Sequence, residues 1–228
     1  MTRRDLSRRG TGDAYLDLPT IDPDLYRRSY QDLATFNRIT LAHRPALKWL
    51  ANTTEGIDVF SLCDVGFGAG DFLRAVAVWA ARNGKKANLW GIDLHPLSAG
   101  HAQSLTPSWM SIDYRTGDVF GLRAQSDIIV SSQATHHMSD EEIVELLRWM
   151  ADSARIAWHN SDGHRSRLVA DGVRVLGVLL GWHPVTRRDS CGCITRCFRR
   201  SDWDRYIGES GVSATVSWHA FRWCVSSA

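Results

Sequence analysis

Short apolar runs alternate with amphipathic stretches along most of this chain. Val59-Phe60-Ser61-Leu62-Cys63 and Asp127-Ile128-Ile129-Val130 are near-continuous apolar runs of strand length, as expected for strands covered on both faces. Between them, Phe72 to about Arg82 carries apolar residues at helical spacing, and Asn83-Gly84 marks a turn. A second strand is expected over Leu89 to Asp93. A weakly written helix up to about Ser104 follows His95-Pro96, and a third strand covers Ser111 to Arg115. Beyond the fourth strand, Ser139 with Glu142 three places on forms a capping box, and Ile143, Leu146, Leu147 and Met150 share one helical face. Arg155 to Asn160 reads as a fifth strand, Ser161 to Arg165 as a polar loop, and Leu168 to Leu180 as a strongly apolar helix. Arg187 to Arg196 reads as an irregular insertion. A helix starting at Ser201 and two short strands, Thr215 to Trp218 and Phe221 to Val225 around His219-Ala220, end the chain. Ahead of the first strand, Leu25 to Leu41 is an amphipathic helix with Tyr26, Tyr30, Leu33 and Phe36 near one face. Pro45 interrupts it and Ala46 to Leu50 continues it.

The chemistry concentrates at Ser61 to Phe72, where a strand gives way to Gly66-Phe67-Gly68-Ala69-Gly70 and then to a helix. Such a turn admits close backbone approach, and N–H groups at a helix N-terminus suit an anionic group. By itself such a turn is a weak signal, and its alternative reading is a tight connection with no ligand. Asp64 before the glycines and Asp93 at the end of the second strand add an acid that can accept hydrogen bonds from two ribose hydroxyls.

Asp64-Val65-Gly66-Phe67-Gly68-Ala69-Gly70 together with Gly91-Ile92-Asp93 resembles the first motifs of class I S-adenosylmethionine-dependent methyltransferases. Dinucleotide dehydrogenases place the third glycine one position later, where this chain has Asp71, so a nicotinamide-dependent oxidoreductase is the less favoured reading. A methyltransferase-like protein that binds the cofactor without transferring methyl also stays open. The resemblance implies an α/β fold: a Rossmann-like, seven-stranded, mostly parallel sheet with helices on both faces, a C-terminal antiparallel hairpin strand and an N-terminal helical cap. Residues 1–52 would be basic tail and cap, and 53–228 the methyltransferase domain. S-Adenosylmethionine would be held by Asp64, Gly66, Phe67, Gly68, Gly70, Asp93, Leu94, Asp118, Val119 and Ser131. Asp118-Val119 would flank the adenine, although Asp118 is equally a turn former. The resemblance extends to small bacterial methyltransferases of polyketide and phenolic-lipid biosynthesis through Asn37-Arg38, His136-His137, Asn160 to Arg165 and Phe198 to Trp203. It implies a small-molecule acceptor methylated on oxygen.

Candidate bases are His137, His136 and His164, with His137 favoured over His136 for proximity to the pocket, because an imidazole with a pKa near 6.5 can take a hydroxyl proton at neutral pH. Either member of the pair could instead only tie its loop to the sheet. Asp162 could orient a histidine or cap the next helix. Asn37, Arg38 and His43 either wall the substrate pocket or merely cover the sheet.

Composition narrows the partners. With 228 residues and 44% hydrophobic content the chain can bury one full core. Lys plus Arg number 27 against 25 Asp plus Glu, which gives no electrostatic case for nucleic acid outside a basic tail of Arg3, Arg4, Arg8 and Arg9, expected to be solvated. No apolar run suits a membrane span or a signal peptide, so a cytoplasmic monomer or homodimer is expected. Five cysteines without a secretion signal point to free thiols, and Cys191-x-Cys193 with Cys197 lacks the spacing of a zinc knuckle, so no metal is expected.

Overall fold

The computed structural model describes residues 6–12, 14–219 and 221–227. Arg3 and Arg4 of the expected tail and Ala220 of the last turn lie outside the described residues. Two helices open the fold, α1 (Pro23–Ile39) and α2 (Arg44–Thr53). Asp22 caps α1 by accepting from the backbone N–H groups of Asp24 and Leu25, with Pro23 in the first turn, where its missing N–H costs nothing.

The sheet follows, built from β1 (Val59–Val65), β2 (Lys86–Asp93), β3 (Ile112–Thr116), β4 (Ser126–Ser132), β5 (Ala154–Gly163), β6 (Ala214–His219) and β7 (Arg222–Ser227). Its order is β3-β2-β1-β4-β5-β7-β6, and only the pairings of β7 are antiparallel. The order reverses between β1 and β4, so the crevice of this α/β sheet opens beyond the carboxyl ends of those strands. The central strands are buried on both sides. Cys63, Ile129 and Trp158 pack towards α5 (Asp140–Ser153) and α8 (Arg200–Ser210), while Leu62, Ile128 and Val130 pack with α2 and α3 (Asp71–Arg82). The short α4 (Ser98–Ser104) connects β2 to β3.

Three expectations are corrected here. β5 runs to Gly163, so Ser161 and Asp162 are strand residues rather than loop. Their backbones pair with Cys224 and Trp223 of β7, a partner that local sequence could not reveal. Arg187 to Arg196 is not irregular. It belongs to α7 (Pro184–Arg196), with Pro184 in its first turn and His183 as cap. Its buried residues include Thr186, Ser190 and Arg196, so the inner face lacks the apolar period that marks a helix in sequence. Asp162 caps no helix, because Ser166 caps α6 (Arg167–Leu179).

The third correction concerns Arg9, which is not solvated. Its guanidinium reaches Asp140 at 2.8 Å and the carbonyls of Arg196 (2.8 Å) and Met138 (2.5 Å), and lies 5.0 Å above the Phe198 ring. Gly10 N–H donates to Thr195 O, Arg196 donates to Gly12 O, and Asp189 accepts from the N–H groups of Tyr15 and Leu16. The segment before α1 is thereby strapped across α7. Helix α1 then seats Phe36 on Trp182, with ring centroids 5.5 Å apart, and Ser29 accepts from Thr186 at 2.9 Å. The first helix and the α6–α7 pair thus enclose the crevice from above.

Candidate active site

The loop after β1 is set by close packing. Gly66 has φ +76°, and a Cβ there would stand 2.4 Å from that of Ala134 in the loop after β4. Gly68, at φ +55°, carries the Tyr30 ring of α1 so closely that a Cβ would meet it at 2.8 Å. Only glycine fits both conformation and space. The N–H groups of the three glycines are already engaged within the fold. Gly66 N–H donates to Ile92 O, Gly68 N–H to Asp93 Oδ2 at 2.8 Å, and Gly70 N–H to Phe67 O.

Asp64, Gly66, Phe67, Gly68, Asp93, Leu94, Asp118 and Val119 all line one cavity of about 1000 Å³. Asp64 is 1% exposed and its Oδ1 has no hydrogen-bond partner. Burial, reinforced by Asp71 and Asp93, raises its pKa well above the usual carboxylate range. Asp93 accepts from Gly68 N–H and His95 N–H, which fixes the carboxylate at the cavity edge with lone pairs remaining. Asp118 accepts from Phe120 N–H, the turn role anticipated as its alternative, and still faces the cavity. Ser131 is not a cavity residue, since its hydroxyl donates to Val65 O and ties β4 to β1.

A polar network that sequence reasoning left undecided closes the same end. Asp71 Oδ2 receives Asn37 Nδ2 at 3.0 Å and pairs with His43 Nε2 at 2.8 Å. Asn37 Oδ1 in turn accepts from Gln133 Nε2. Burial pushes the Asp71 pKa up, but the bonds and charge of His43 and the bond from Asn37 outweigh it and leave the pKa lowered. Arg38, by contrast, is exposed. The sequence offered Asn37 and His43 as a polar cluster and Asp71 directly after the last glycine, but not their pairing.

Just beyond Ala134 in the same loop lie His136 and His137, their rings 4.1 Å apart. His136 Nδ1 is 2.9 Å from Asp162 Oδ1, and Asp162 also accepts from Thr135 Oγ1, His136 N–H and Gly163 N–H. Burial would raise the Asp162 pKa, but His136 and these donors bring it down to about 2. The ionised carboxylate can only accept, so Nδ1 of His136 is the donor in this bond and Nε2 is the ring nitrogen left over. His137 Nδ1 pairs with Asp17 Oδ2 at 2.6 Å on a more open surface. His164 and Asn160 do not join them. Trp223 Nε1 donates to His164 Nδ1 outside the cavity lining, and Asn160 is fully buried in β5.

Two overlapping sets among the described residues have potential metal-ligand atoms within 4.8 Å of one another: His136, His137 and Cys193, and His136, Asp162 and Cys197. Helix α7 delivers the two cysteines there, which spacing in the sequence did not suggest. Residues missed by sequence reasoning are thus Asp17 from the strap, Cys193 and Cys197 from the concealed helix, and Arg222 at the start of β7. All four line the cavity.

Residues 62–155 match the model of a methyltransferase domain. Magnesium protoporphyrin IX methyltransferase from Synechocystis PCC 6803, solved with bound SAH, superposes with a TM-score of 0.56 at 18% identity, covering 89% of this chain and 92% of that one. The plantazolicin methyltransferase BpumL in complex with SAH gives 0.68 at 13% identity, over 94% and 95%. The CurJ carbon methyltransferase gives 0.62 at 15% identity, over 90% of this chain and 60% of its own. No curated protein sequence gives a significant match. Residues 62–155 therefore carry a methyltransferase domain, and the chain as a whole has the fold of class I S-adenosylmethionine-dependent methyltransferases. The Rossmann-like sheet with its C-terminal antiparallel pair is the fold of these enzymes.

Proposed function

We propose that this methyltransferase transfers a methyl group to an oxygen of an apolar small molecule of the phenolic or polyketide kind, acting in the cytoplasm in secondary metabolism as a monomer or homodimer. The observation that carries the reading is the single cavity that joins the glycine loop to the His136–Asp162 pair. The solved relatives name a porphyrin, a peptide-derived and a carbon acceptor, so the acceptor here is argued from this chain's own residues.

S-Adenosylmethionine, when bound, supplies a methyl carbon that is already electrophilic. The protein has to orient and to remove a proton. In this reading the orphaned Asp64 Oδ1 and the glycine loop receive the amino-acid end of the cofactor, Asp93 the ribose, and Asp118 with Val119 the adenine. His136 Nε2 takes the acceptor's hydroxyl proton, and Asp162 stabilises the imidazolium that results. Phe36, Val173, Trp182 and Ile194 form an apolar wall suited to a ring or chain. Residues 1–52 act as a cap over the domain of residues 53–228.

Calorimetric titration with S-adenosylmethionine, S-adenosylhomocysteine, NADH and NADPH tests the cofactor assignment. Mass-spectrometric screening of phenolic acceptors for a gain of one methyl tests the transfer. Saturable binding of the first two compounds and an O-methylated product are expected. Binding of a nicotinamide cofactor alone would sink the reading, and cofactor binding with transfer only to carbon or nitrogen would overturn the oxygen assignment.

A further inference from the structure

Arg222 opens β7, in register with Gly163 of β5, and its residue is 9% exposed. Among the described residues its guanidinium has no hydrogen bond and no carboxylate within 4.0 Å, yet it lines the cavity. Its nitrogens are not sealed from solvent, so an arginine with five N–H donors and no protein partner presents them to the cavity. Burial pushes its pKa down from the ordinary arginine value, with the charge of Asp162 opposing. Asp162 does not serve as its partner, since the hydroxyl of Thr135, both donors of His136 and the N–H of Gly163 already occupy that carboxylate.

Position separates this cation from the cofactor end. The sheet order puts β4 and β5 between β1 and β7, so Arg222 stands three strand spacings, about 14 Å, from the glycine loop. It is on the His136 side of the cavity, beside Gly163 and Cys197. We propose, resting on the acceptor reading above, that the acceptor is an organic acid and that Arg222 binds its carboxylate, fixing the apolar body along the α1–α6–α7 wall with its hydroxyl towards His136. The planar guanidinium fork matches a carboxylate with two parallel hydrogen bonds. A single cation near the fully ionised Asp162 favours a monoanion over a doubly charged phosphate.

The test compares 4-heptylbenzoate with 4-heptylbenzamide, equal in shape and different in charge, by calorimetry at pH 7.5 on protein saturated with S-adenosylhomocysteine. The acid is expected to bind about tenfold or more tighter. Arg222→Met should abolish that preference and Arg222→Lys should retain part of it, with S-adenosylhomocysteine affinity unchanged in both. Equal binding of acid and amide, binding of neither, or a preference that survives Arg222→Met overturns the proposal. Tighter binding of 4-heptylphenyl phosphate than of the benzoate replaces the acid with a phosphorylated acceptor and overturns it too. Loss of S-adenosylhomocysteine binding in Arg222→Lys would move Arg222 to the cofactor site. If Arg222→Met does not fold, the comparison in wild type and Arg222→Lys still decides. Failure of the methyl-transfer reading shows separately, in the cofactor titration and the product screen.

Discussion

Arg9 Nη1 lies 2.8 Å from Asp140 Oδ1, a residue 131 positions away, at the first turn of the helix that follows the paired histidines. The same guanidinium binds the carbonyl of Met138, so the N-terminal segment holds the loop that carries His136 and His137. Arg9→Ala should lower stability by about 1 to 3 kcal/mol, the range for buried donors lost to charged and carbonyl partners. Methyl transfer should fall with it, since the loop carries His136. Thermal unfolding and single-turnover kinetics check both, and an unchanged melting temperature would remove the strap from the account.

Asp162→Asn keeps the shape of the buried carboxylate but no longer stabilises a protonated His136. Methyl transfer should drop by about 10²- to 10⁴-fold, the usual span of general base catalysis, while S-adenosylhomocysteine still binds. Proportional loss of both in calorimetry and turnover would mark Asp162 as structural. Its pH signature has a definite sign. The folded pKa of about 2 lies below the unfolded value near 3.9, so its stabilisation is present above pH 4 and is lost as pH falls towards 2.

Asp93→Ala removes the acceptor for Gly68 N–H and His95 N–H along with the proposed ribose contact. Cofactor affinity should weaken by about 1 to 3 kcal/mol in a direct titration. Affinity equal to wild type would leave Asp93 as a loop-holding residue only.

His159 is 2% exposed, stacks on Trp49 at 4.8 Å, and neither ring nitrogen has a partner. Burial, with a smaller contribution from His219, lowers its pKa to about 3. The unfolded chain therefore binds a proton near pH 6.5 that the folded one refuses until about pH 3, and stability must fall with pH across that window. The slope from this group reaches about 1.4 kcal/mol per pH unit. Urea unfolding at pH 7.5 and 4.5 should show His159→Phe losing less stability than wild type, and identical losses would refute the assignment.

The glycine loop, Asp93, the capping box of α5 and the alternation of strands with helices were legible because each is a local rule: a backbone angle, a cap, a period. The resemblance those motifs carried gave the sheet and the cofactor class. Helix α7 was not legible, because its inner face is mostly polar and is held by Ser29 and the N-terminal strap, with only Ile194 of its buried residues in an apolar cluster. Nor was the choice among histidines. His136 and His164 are equivalent in sequence, and only the pairing of β5 with β4 and β7 turns Asp162 towards the first while Trp223 engages the second. The sequence by itself determined which elements form and that a nucleotide-like cofactor fits beyond β1 and β2. The tertiary structure decided the proposed acceptor end, where Asp17, His136, Asp162, Cys193 and Arg222 line one cavity from distant segments, because contacts between residues far apart in the chain leave no period or spacing to read.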